Sequence, residues 1–94
     1  LSDTILNPSF PDDELNKKRE RIKGGLRAQE ENPEFVASRE FKKAVFGIHP
    51  YGRLVQGSPE SLDRIKRDDL VNFHSTFYAS NNAIMSVVGD ITPE

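Results

Sequence analysis

Cysteine is absent from the 94 residues. That excludes disulfide scaffolds, thiolate metal sites and thiol catalysis, and it leaves the redox compartment open. Bacterial periplasm and cytoplasm are both admitted. No apolar run approaches the ~18 residues that a membrane span needs, so no membrane span is expected. Charge of one sign is lacking too: 13 Lys and Arg stand against 15 Asp and Glu, for a formal net charge of -2. The two signs interleave along the chain, so no field that would gather phosphates or anionic lipid is expected, and a nucleic-acid partner is not expected either. The N-terminus, Leu1-Ser2-Asp3, has neither an initiator Met nor a signal-peptide pattern, and the last residues, Thr92-Pro93-Glu94, follow directly on an apolar run. Both ends therefore read as cuts, and residues 1–94 are expected to form a partial domain. A content of 35% hydrophobic and 30% charged residues is polar for a chain that must build its own core, which points the same way.

Pro and Gly divide what is there into five parts. Residues 1–6 read as the tail of an element, closed by Asn7-Pro8. A helix is expected over about 11–31, with Asp12, Asp13 and Glu14 in the first turn, where negative charge suits the helix N-terminus. Leu15, Ile22 and Leu26 share one narrow apolar stripe on it. Gly24-Gly25 interrupts it. Each glycine costs up to ~1 kcal/mol relative to alanine inside a helix, so a bend or break is expected there. Asn32-Pro33 pairs an N-cap with proline at the first helical position and opens a helix over about 33–46. Phe35, Ala37, Phe41, Ala44 and Val45 are its expected buried side, and Gly47 its expected left-handed terminator. After the loop His49-Pro50-Tyr51-Gly52, helical segments are expected over about 59–65 and 68–78, the second with Leu70, Phe73, His74 and Phe77 on one face. Ile84, Met85, Val87 and Val88 lie in an expected strand over about 83–88. Because one strand cannot satisfy its own backbone, the rest of its sheet is expected outside this sequence.

The residues able to do chemistry are few. His49 and His74 lack a second His or a carboxylate three or four residues on, so neither forms a helical metal pair. His74 lies on an apolar face and reads as a packed, hydrogen-bonded residue; His49 reads as fixing its loop. No serine stands in a nucleophile elbow, and no glycine-rich phosphate loop is present. No catalytic residue is assigned.

The succession Asn7-Pro8-Ser9-Phe10, Glu14-Leu15, Asn32-Pro33, Phe46-Gly47-Ile48-His49-Pro50-Tyr51-Gly52, Gly57-Ser58-Pro59-Glu60-Ser61-Leu62, Asp69-Leu70 and Val87-Val88-Gly89-Asp90-Ile91 resembles the insulinase/pitrilysin-like zinc metallopeptidases, the group of mitochondrial processing peptidase. The resemblance covers nearly the whole chain. It implies an α+β parent, a metallopeptidase half-domain with helices packed on one mainly antiparallel sheet, of which this piece is the mostly helical C-terminal part with one terminal strand. It further implies an inverted zinc motif, His-x-x-Glu-His, upstream of this region; the motif does not occur here.

The family's third zinc ligand is a glutamate on the helix that corresponds to the first one here. Matching Glu14-Leu15 and Asn32-Pro33 without gaps sets that ligand at Gly25, or at Gly24 with a slip of one. Neither has a side chain to bind zinc. Glu20 and Glu30 stand five residues from Gly25, about 140° round a helix and ~7.5 Å along it, and face elsewhere. The resemblance therefore implies a non-catalytic member that holds no zinc in this segment, although active relatives bind it. It would support an active peptidase subunit, or the second half of the same chain, in peptide processing or degradation. Two alternatives remain: an active zinc endopeptidase whose motif lies upstream, and a helical interaction module without a peptidase role.

Overall fold

The structure is a computed structural model and describes residues 1–92. Five helices follow one another: α1 (Ser2–Leu6), α2 (Asp12–Gln29), α3 (Pro33–Phe46), α4 (Pro59–Arg64) and α5 (Arg67–Phe77), with short 3₁₀ turns at Pro50–Gly52 and Ser80–Asn82. The protein is mostly helical, as expected. Helix starts follow the local chemistry. The Asn32 side chain accepts from the backbone N–H groups of Glu34 at 2.9 Å and Phe35 at 3.4 Å, and Pro33 takes the first position, where no donor is needed. At α4, Ser58 and Ser61 cap one another: Ser61 N–H donates to Ser58 Oγ, and Ser58 N–H to Ser61 Oγ. Gly47 ends α3 at φ 53°, a conformation that suits glycine.

Two expectations are corrected. α2 runs unbroken through Gly24-Gly25. Both residues keep helical backbone, and the helix is held from its other face by contacts to α4, which offset the weak propensity of two glycines among 18 residues. The strand expected over 83–88 is not formed: these residues have no regular structure and no backbone partner, with Ile84 100% and Val88 96% exposed. A strand needs a neighbour for its N–H and C=O groups, and no second strand exists among the described residues.

α2 and α4 form the centre. Leu26 and Leu62 are the buried apolar side chains among the described residues, and polar contacts frame them. Arg19 donates to the backbone carbonyls of Leu62 and Ile65 at the end of α4. Lys23 Nζ meets Asp63 Oδ1 at 2.9 Å. Arg67 donates to the carbonyls of Ser9 and Phe10, fixing the α1–α2 connection to the start of α5. Elsewhere the apolar faces stay open. Phe35 of α3 is half-buried, whereas Ala37, Phe41, Ala44 and Val45 are exposed, so most of the expected buried side of that helix is left open within the described residues. The radius of gyration, 17.6 Å, exceeds the ~12 Å of a compact domain of this length, in keeping with a thin core.

Candidate functional site

Gly25, where the resemblance would set the third zinc ligand, lies in the last quarter of α2 on an open face. A β-carbon there would meet nothing within 4 Å, and the same holds for Gly24. The surroundings are cationic and amide-bearing: Gly25 borders a small cleft of about 260 Å³ with Lys18, Arg21, Gln29 and Gln56. Gln29 Oε1 is buried without a hydrogen-bond partner among the described residues. The two nearest candidate substitutes are committed elsewhere. Glu20 approaches Lys23 Nζ at 3.7 Å, and Glu30 pairs with Arg39 of α3.

The histidines stand apart in different environments. His49 Nδ1 accepts from Tyr51 N–H at 3.2 Å, and its ring packs edge-on against Tyr51, 4.8 Å between centroids, beside Phe46. The turn is tight at Gly52, where a β-carbon would come within 2.9 Å of the Gly47 carbonyl oxygen. His74 is half-buried: its Nε2–H donates to the Ile5 carbonyl at 2.7 Å, while the ring stacks on Tyr78 at 4.9 Å and meets Phe10 edge-on at 5.9 Å. Both rings thus hold chain segments together. No group of three His, Cys, Asp or Glu side chains placed to hold a metal ion occurs among the described residues.

What sequence reasoning missed is a larger cleft of about 960 Å³ between α2, α3, the 53–57 loop and α4. Arg27, Arg39, Lys43, Arg53 and Arg64 line it, opposed by Glu30 and Glu60. Along the chain these cations alternate with acids and give no signal; only the packing of α2 on α4 and of α3 on the 3₁₀ turn gathers them. Arg39 bridges Glu30 and Glu40, and Lys43 adds to Glu40 at 3.4 Å. Hydrogen bonding from Arg39, then from Lys43, holds the Glu40 carboxyl below its ordinary range.

Comparison with known proteins agrees with the motif order. The chain is 29% identical over 91 residues, 97% of its length, to an uncharacterized zinc protease of Mycobacterium leprae. It is 25% identical over 92 residues to the uncharacterized zinc protease YmxG of Bacillus subtilis. Over 94 residues it is 24% identical to a probable mitochondrial-processing peptidase subunit beta of Arabidopsis thaliana. It covers 20%, 22% and 18% of these proteins, so it spans about a fifth of the relatives it matches. No family model matches, and no solved structure matches significantly. By sequence the chain is a relative of zinc proteases that include a mitochondrial-processing peptidase subunit, in accord with its resemblance to the insulinase/pitrilysin-like group.

Proposed function

We propose that the chain belongs to a non-catalytic member of this zinc peptidase group, one that shapes the peptide-holding space for a motif-bearing partner subunit or a second half of the same protein. One observation supports this reading: Gly25, where the resemblance would set the third ligand, lies on an open, unbroken helix face, with Glu20 and Glu30 already paired to cations. A catalytic zinc of this kind needs three protein ligands and an open position for the water it activates. With one of the three missing, binding weakens and the geometry that activates water is lost. In the same reading the segment over 83–88 joins a sheet supplied by the parent domain, which gives the α+β half-domain. Peptide is the substrate of the assembly, and zinc the metal of its active member.

The experiment is hydrolysis of peptides by the full-length protein, purified alone, with and without chelator. No turnover is expected until a motif-bearing partner is added. Chelator-sensitive turnover by the lone protein overturns the proposal.

A further inference from the structure

We propose that the cleft between α2, α3 and α4 is a binding groove for an extended acidic peptide segment. The protein as a whole is negative, at -2, yet five of its cations converge on this one concavity against two carboxylates. The cations come from every wall: Arg27 from α2, Arg39 and Lys43 from α3, Arg53 from the loop, Arg64 from α4. Glu30 is already neutralised by Arg39. Arg27, Arg53 and Arg64 have no ion pair among the described residues, so three guanidinium forks remain for carboxylates, whose planar geometry they match. Apolar Leu26, Leu54 and Pro59 also line it. Alternating acidic and apolar side chains on an extended strand would satisfy both features, since successive side chains point to opposite sides. Nucleic acid fits less well. None of the lining residues is aromatic, so bases have nothing to stack on. Such binding needs neither a metal nor a peptidase partner, and it stands or falls apart from the reading of Gly25.

The test is fluorescence anisotropy of a labelled nonapeptide of alternating Glu and Leu, with its Lys/Leu counterpart as control, on the full chain in low salt and at about 0.3 M salt, where the Debye length falls to several ångströms. The Glu/Leu peptide is expected to bind in low salt, weaken as salt rises, and lose about tenfold in affinity, or ~1.4 kcal/mol, in R27Q/R64Q. R53Q, in a loop outside the helices, is expected to weaken binding in the same direction. K18Q/R21Q, on the other cleft, should stay within about twofold. Circular dichroism checks that each variant keeps its helices. Four results overturn the proposal: no binding in low salt, equal binding of the Lys/Leu peptide, equal loss in K18Q/R21Q, or displacement by a short oligonucleotide as effective as by the unlabelled acidic peptide.

Discussion

Arg19 of α2 donates through Nε to the backbone carbonyl of Leu62 at 2.9 Å, 43 residues away in sequence, and through its second nitrogen to the carbonyl of Ile65. Helix ends leave carbonyls short of intrahelical partners; the Leu62 carbonyl also accepts from the Ile65 N–H, and one guanidinium here adds to it, takes the Ile65 carbonyl and fastens the end of α4 to α2. R19A is expected to destabilise the α2–α4 unit by about 1–3 kcal/mol, the range for losing charge-assisted hydrogen bonds. R19K should recover only part of that, because an ammonium lacks the planar fork. Urea unfolding followed by circular dichroism measures both.

Gly24 and Gly25 offer the opposite case. With nothing within 4 Å of a β-carbon at either site, G24A and G25A are each expected to stabilise the protein by up to ~1 kcal/mol through helix propensity alone. G25E should fold as well, its carboxylate near Lys18 and Arg21, which share the cleft. Thermal melts check this, and destabilisation by G25A would reveal a close neighbour at that face.

Lys23 ties α2 to Asp63 of α4, and this hydrogen bond, with the Asp63 and Glu20 charges, raises its ammonium above the ordinary value of 10.5 against some desolvation. A raised folded value means that the contribution is complete below 10.5 and is lost as pH climbs through the folded value. Hydrogen exchange within α4 is therefore expected to speed up in strongly alkaline solution beyond the intrinsic rise. D63N should remove that extra dependence. Arg19 still joins the same two helices through the carbonyls of Leu62 and Ile65, so the contact loosens without parting.

The segment over 83–91 presents Ile84, Met85, Val87, Val88 and Ile91 to solvent, each at least half exposed. Unpaired backbone beside apolar side chains pairs with whatever edge is available. The chain is expected to self-associate at high concentration, and I84D/V88D to weaken that association by about tenfold or more. Sedimentation at several concentrations decides it, a compact monomer throughout being the contrary result.

Local chemistry was the legible part of the sequence. Asn32-Pro33 and Ser58-Pro59 mark helix starts because capping and proline act within one turn, and the structure begins α3 and α4 at those prolines. The packing roles of the histidines were legible for the same reason: His74 sits on an apolar helix face and His49 in a Pro- and Gly-rich turn. Burial and pairing were not. The α3 face with Phe41 and Val45 has the period of a buried face, and the 83–88 run the composition of a strand, but period and composition only promise a surface to pack against. Within the described residues that surface is missing. Arg19 was equally hidden, since an arginine on a charged helix reads as solvated until the carbonyls of Leu62 and Ile65 arrive beside it. The clustered cations of the larger cleft come from segments distant in sequence, a convergence that no window along the chain contains.

His49 carries one further consequence. Its Nδ1 lone pair is occupied by the Tyr51 N–H, which fixes the uncharged ring as the tautomer with hydrogen on Nε2. That nitrogen can then only give a hydrogen bond outward, and any electrophile seeking Nδ1 must first displace the Tyr51 N–H. The imidazole is thus a peg in the turn, its Nδ1 lone pair committed to the shape of four residues.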